Sequence, residues 1–519
     1  MKPFFCSLIF FSALVVQAET RLPSVISDHM VLQSGASVPI WGWDEPGTEV
    51  RVSVGGQTQT AKAGVDGKWT VKLNKVDANE KAQTLTIQGS SAVAVHDVLV
   101  GEVWLASGQS NMEMQVRGKM HGSIDHAEEE IAAAKHPQLR MFLPKENFVI
   151  YEVAAPPASP AKDQAGSWFV CSPETVENFS ACGYFFAREL QEKLKVPVGI
   201  VTAAVGGTPV EAWTSLEPQQ AEPSLKPLLE DWQKRLTNYD AQRDHDTFMT
   251  AKAAWLKQRS TAVKAGQPAP KAPTPFKNLE VMRPAALFNG VIAPLIPYAV
   301  HGVIWYQGER NAAGPFTGLY GRQLETLIQD WRRHWQSDLY FAWVQLPHSL
   351  NEQKLPSEPK GWGVMVREGM RKALSVPNTG MAVTIELGDP KQGHPTNKAD
   401  FAHRLALVAL HDVYHQSEGG YCGPLFKACR TEGGKMVLSF TNGAGLKAAA
   451  GDLKGFAMAG EDQKFVWATA EIVNDEVVVS APKIDKPAAV RYGWASNPTC
   501  NLFNGAGLPA SPFRTDDWP

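Results

Sequence analysis

The stretch Gly101–Met114, GEVWLASGQSNMEM, constrains the chain more than any other. The apolar run that enters it (Val98, Leu99, Val100, Val103, Trp104, Leu105) reads as a buried strand. Ala106-Ser107-Gly108-Gln109-Ser110-Asn111 breaks that run with a glycine turn. A short helix-compatible pattern follows, with Glu113 in its first turn. Strand, tight turn and helix in that order hold one side chain up at the carboxyl end of a sheet. Ser110 is then either a presented nucleophile or the cap of the following helix, and the stretch alone fits both readings.

From Val98 onward strand and helix patterns alternate. Phe179–Lys195 reads as a helix that stops before Pro197, and Val198–Val205 as a buried strand ending in Gly206-Gly207-Thr208. The alternation resumes with a strand at Val300–Tyr306, a helix at Tyr320–Trp335 and a strand at Leu339–Leu346. A helix at Val364–Leu374, a strand at Met381–Leu387 and a helix at Asn397–His411 complete it. Such a pattern predicts an α/β fold, a mostly parallel sheet with covering helices. The polar stretch Glu217–Glu280 interrupts it. Its best helical segments are Leu228–Leu236 and Thr247–Gln258, and Gly266–Pro275 is a loop. It reads as an inserted helical hairpin that leans over the site.

On either side the chain is β-like. Short runs at Val38–Trp43, Val50–Val54, Trp69–Leu73 and Leu85–Ile87 are separated by Pro46-Gly47, Gly55-Gly56 and Asp66-Gly67, which predicts a small sandwich. That region is either a structural domain or a carbohydrate-binding module. After Glu418, runs at Met436–Phe440, Ile472–Ser480 and Ala488–Tyr492 are β-like again, as a separate domain or as strands added to the first. The expected division is a leader over 1–18, a β domain over 19–97, a catalytic domain over 98–417 with its insertion at 217–280, and a β-rich region over 418–519.

The net charge of −3 carries no electrostatic footprint for nucleic acid or an anionic membrane. Sixteen Trp suit sugar rings as well as cores. Lys2, the apolar Phe4–Val16 and Val16-Gln17-Ala18 fit an export signal, so the protein is expected to be periplasmic or secreted. No other run resembles a membrane span. An oxidising compartment allows one or two disulfides among Cys171, Cys182, Cys422, Cys429 and Cys500, with the connectivity open and at least one thiol left without an intramolecular partner. Cys-X2-Cys spacing is absent, which argues against structural zinc.

Three further loops leave predicted strands with chemistry to offer. Gly206 and Gly207 let backbone N–H groups approach a ligand. Trp305-Tyr306-Gln307-Gly308-Glu309-Arg310-Asn311 brings an amide donor at Asn311 and a carboxyl at Glu309 that orients a partner or holds its loop. Gly388–Pro395 brings His394, the candidate base, with Asp389 as an acceptor for its ring. Each loop taken singly also reads as a turn. Carboxyl ends of parallel strands share one edge, so the four loops can converge.

Read together, these motifs resemble the SGNH hydrolase superfamily, and more finely the bacterial sialate O-acetylesterases. The resemblance is carried by Gly101–Met114, Val198–Trp213, Gly302–Ala312 and Gly388–Leu407, with Asp28–Gln33, Ile40–Trp43 and the tail Asn501–Asp516. It implies a flavodoxin-like three-layer α/β/α domain with accessory β domains, and ester hydrolysis without cofactor or metal. Ser110 is then the nucleophile and His394 the general base. The Ser110 N–H, Gly206 or Gly207, and Asn311 form the oxyanion hole, with Gln109 and Glu309 in support. The superfamily usually places its triad Asp three residues before the His, where this chain has Lys391. Either Asp389 takes the role, or His394 is oriented by a backbone carbonyl or Glu309. Arg310 stands where a small residue is usual. The implied substrate is an O-acetylated sialic acid or sialoglycan. The alternatives are an O-acetylesterase for xylan, pectin or another glycan, and a non-catalytic glycan-binding protein.

Overall fold

The computed structural model describes residues 19–118, 122–145, 157–273, 278–416 and 419–518. The expected export signal at 1–18 lies outside them. The centre is a sheet of seven strands, numbered here along the chain: β1 (Ala92–Gly108), β2 (His136–Pro144), β3 (Gly166–Cys171), β4 (Val198–Ala204), β5 (Gly302–Tyr306), β6 (Tyr340–Val344) and β7 (Thr379–Ala382). Their spatial order is β7-β6-β5-β1-β4-β2-β3. All neighbours are parallel except β2 and β3. The chain fills one side of β1 first and then the other, so the order reverses at β1. Ligands of open α/β sheets bind outside the carboxyl ends of the strands at such a reversal.

Alternation along each strand sends side chains to two separate cores. Val103, Leu105, Val303 and Trp305 enter one, together with Leu324, Leu327, Ile328 and Trp331 of helix Tyr320–Trp335. Trp104, Ala106, Ile304 and Tyr306 enter the other, with Phe186 and Leu190 of helix Ala181–Leu194 and Phe401 and Leu405 of helix Lys398–Asp412. The i, i+3, i+4, i+7 spacing of those four residues on helix Tyr320–Trp335 puts them on one stripe, each worth roughly 1.5–3 kcal/mol on full burial.

The first core does not stop at the sheet. It runs on through Ile40, Trp41, Trp69 and Leu85 of the amino-terminal β region. Strand β1 explains why. Its first half pairs antiparallel with Asn79–Gln88 and parallel with Val31–Gln33, while its second half pairs with β4 and β5. The point at which the composition changes, near 97, therefore falls inside one continuous strand.

The carboxyl-terminal region forms two four-stranded sheets around Leu438, Met458, Val477, Val479, Tyr492 and Phe513. The run Ile472–Ser480 is not one strand but a hairpin, Thr469–Val473 and Glu476–Ser480. Asn474 and Asp475 turn it with φ of 52° and 58°, the left-handed pair that a two-residue hairpin loop requires. Strands β2 and β3 were not anticipated: Pro137 and Pro144 in one, and short length in the other, hide the period. No disulfide forms among the five described cysteines. Cys171, Cys182, Cys422, Cys429 and Cys500 are all free thiols. Burial pushes the thiols of Cys171 and Cys182 up to about 12.

Candidate active site

Gly108 ends β1 with φ +136°, and a Cβ there would meet the Tyr306 carbonyl oxygen at 2.2 Å. Only glycine lets the two strand ends approach this closely. The short helix Ser110–Glu113 starts immediately afterwards with Gln109 in the N-cap position, so Ser110 is its first residue and not its cap. The Ser110 hydroxyl instead lies 2.8 Å from His394 Nε2, 284 residues along the chain. The serine is buried, 6% exposed. A hydroxyl within hydrogen-bond reach of an imidazole is the arrangement that activates a serine.

The loop after β4 supplies Gly206 and Gly207. The Gly206 N–H donates to Glu113 Oε2 at 2.9 Å. Gly207 has φ +72°. The loop after β5 supplies Asn311, whose amide is held by three hydrogen bonds. Its Oδ1 accepts from the Val210 N–H at 3.0 Å and from Gln307 Nε2 at 2.8 Å. Its Nδ2 donates to Glu211 Oε2 at 2.9 Å, and Nδ2 carries a second hydrogen.

Residues that sequence reasoning did not single out hold this geometry. Glu211 is buried and accepts from Asn311, from Gln323 Nε2 at 2.9 Å and from Trp232 Nε1 at 3.0 Å. Trp232 belongs to the helix Lys226–Thr237, so the insertion reaches the site through Glu211 as a brace. Gln307 is fully buried and donates to Gln109 Oε1 at 3.2 Å and to the Thr208 carbonyl at 3.0 Å. Gln109 Oε1 also accepts from the Arg310 N–H at 3.3 Å.

Asn111 stitches a different pair of loops. Its Nδ2 donates to Glu309 Oε1 at 2.5 Å and to the Gly393 carbonyl at 3.1 Å. Lys398 Nζ donates to Asn111 Oδ1 at 2.8 Å and to the Pro395 carbonyl at 2.5 Å. The segment 393–395 that carries His394 is thereby tied to the serine's own helix. Burial raises the Glu309 carboxyl above its ordinary range, against the opposing Asn111 bond and Lys398 charge. Its Oε2 has no hydrogen-bond partner among the described residues. Asp389 sits on the His394 loop, where its Oδ1 accepts from the Lys391 N–H at 2.7 Å.

Lys398 is 0% exposed, with the Tyr306 and Phe401 rings 5.7 and 5.4 Å from its ammonium. Burial pushes its pKa down to about 8, partly offset by Cys182, Glu309 and Asp125. The folded pKa lies below the unfolded one, so between the two the unfolded chain binds the extra proton. The contribution of Lys398 to stability therefore rises with pH from about 8 to about 10.5, by about 3 kcal/mol in total. Lys398→Met lacks this rise. The unfolding free energy of the native protein relative to Lys398→Met should grow by about 2–3 kcal/mol between pH 7 and pH 10.5 in urea titrations. A difference that does not change with pH would refute the depressed lysine.

The described residues hold no cluster of His, Cys, Asp or Glu suited to a metal ion, and no helix among them is long and apolar enough to cross a membrane. A family model described as carbohydrate esterase, sialic acid-specific acetylesterase, matches residues 100–242 and 284–410. Those segments contain Ser110, both glycines, Asn311 and His394. A sialate O-acetylesterase of Rattus norvegicus is 27% identical, over 95% of this chain and 94% of its own. That of Homo sapiens is 27% identical over 95% and 92%. The crystal structure of a carbohydrate acetylesterase from Xanthomonas citri superposes with a TM-score of 0.77 at 35% identity, covering 96% of this chain and all of that one. With the match extending over more than half of its length, this chain belongs to the sialic acid-specific acetylesterase family of carbohydrate esterases.

Proposed function

We propose that this protein is an exported sialate O-acetylesterase working through a serine acyl-enzyme in an SGNH-type, flavodoxin-like α/β/α domain. The observation that carries the mechanism is the 2.8 Å approach of Ser110 Oγ to His394 Nε2 at the sheet's reversal point. Ser110 Oγ attacks the acetyl carbonyl while His394 takes its proton. The tetrahedral oxyanion receives hydrogen bonds from the Ser110 N–H, the second Asn311 Nδ2 hydrogen and one glycine N–H. Gly207 is that glycine, because Gly206 already donates to Glu113. His394 then gives its proton to the departing sugar oxygen. Water, deprotonated by His394, cleaves the acetyl-enzyme and releases acetate and the free serine.

Asp389 is the acid that orients His394 in this reading, sharing its loop at the exit of β7. Asp389→Asn should then lower kcat by about 10⁴-fold, with little change in KM. A loss of only a few-fold would assign the orientation to a backbone carbonyl or to Glu309. Export is supported by Lys2, the apolar Phe4–Val16 and the small-residue site at Ala18.

An acetyl group offers little binding area, so the sugar decides the substrate. The family match and the sialate O-acetylesterase relatives favour sialic acid. Acetate release from O-acetylated sialoglycans should exceed that from acetylated xylan or pectin at least tenfold in kcat/KM. A preference for xylan or pectin would keep the chemistry and overturn the sugar. No release from any ester would leave a glycan-binding protein.

A further inference from the structure

A cavity of about 450 Å³ opens at the carboxyl edge of the sheet, above β4, β2 and β3. This falls within the usual range for small-ligand sites, about 300–1,000 Å³. Its walls include Ala204 at the end of β4, Pro144 at the end of β2, and Glu113. Glu113 accepts the Gly206 N–H at 2.9 Å, so the cavity shares a wall with the loop carrying the oxyanion donors. It therefore lies beside the reaction centre and on the same edge.

Two features of the lining point to a ligand. Phe169 on β3 lines the cavity and is 38% exposed, which leaves the ring available to the C–H face of a pyranose. Gln115, Glu174 and Asn178 complete a wall that can donate to and accept from hydroxyl groups. Among the described lining residues the charges are the carboxylates of Glu113 and Glu174 against the ammonium of Lys145. A ligand carboxylate placed there would face two like charges, whereas a neutral sugar would not.

We infer that this cavity is a subsite for a neutral pyranose joined to the acetylated residue, so the enzyme favours chain-borne over free O-acetylated sialic acid. The inference rests on the proposed sialate esterase activity. Where a glycan carries its sialic acid on a neutral sugar, the cavity's position beside the oxyanion loop places that sugar next to the residue being deacetylated.

The test compares kcat/KM on O-acetylated sialyllactose and on free O-acetylated N-acetylneuraminic acid. The native protein should prefer the trisaccharide about tenfold, through KM, and Phe169→Ala should bring the ratio close to one. Glu174→Gln, a surface isostere, should reduce the preference in part and keeps the test sound if Phe169→Ala fails to fold. Equal kcat/KM for the two substrates in the native protein, or an undiminished preference in both variants, would overturn the subsite. Calorimetric titration with unacetylated sialyllactose and with free sialic acid gives a readout independent of turnover. Absence of turnover with tighter trisaccharide binding would reject the reaction and keep the subsite, whereas equal binding would reject the subsite.

Discussion

Ser110→Ala is expected to abolish the measurable hydrolysis of p-nitrophenyl acetate, with kcat falling by roughly 10⁴-fold or more. The reason is geometric. The hydroxyl is the group that His394 faces at 2.8 Å, and it does not serve as a helix cap, because Gln109 occupies that position. Removing it should cost little stability, since alanine is a good residue for the first turn of a helix. Stopped assays on O-acetylated sialoglycans, with circular dichroism melts of both proteins, check both halves. A variant that retains a tenth of the native rate would end the nucleophile assignment.

Asn311→Ala should lower kcat by about 10²–10³-fold while leaving KM nearly unchanged, since a donor aimed at developing charge acts in the transition state. This substitution also carries a structural cost. It strands the Val210 N–H and one bond to the buried Glu211, a loss of about 1–3 kcal/mol for each unsatisfied group. Melting curves separate the two effects: a variant that is less stable but turns over at the native rate would reduce Asn311 to a loop fastener. Glu211→Gln sharpens the comparison, because it keeps an acceptor for Asn311 while removing the charge.

The sequence made the reacting groups legible because each sits in a local pattern. Gly108 breaks a strand, Gly206-Gly207 end another, and Asn311 and His394 lie in loops after apolar runs. Helix Tyr320–Trp335 was legible to the residue, because its apolar stripe is uninterrupted. What holds the reacting groups was less visible. Glu211, Trp232 and Lys398 act between segments distant in sequence, and each looks ordinary among its neighbours. Lys398 did leave a trace. It falls at i relative to Phe401 at i+3 and Leu405 at i+7, on the buried stripe of its helix, where a charged residue demands a partner. Asn111 offered no comparable trace, since an asparagine after a turn has many uses.

Strand β1 has one more consequence. Its first half is the seam of the amino-terminal β region and its last residue delivers Ser110, with no linker between them. A flexible tether would let the two bodies open separately. A rigid strand and a shared apolar interior join them, so a calorimetric scan should show the two melting in one transition. The amino-terminal region is accordingly an anchor for the catalytic edge, and its excision would carry away the near half of the strand on which the nucleophile stands.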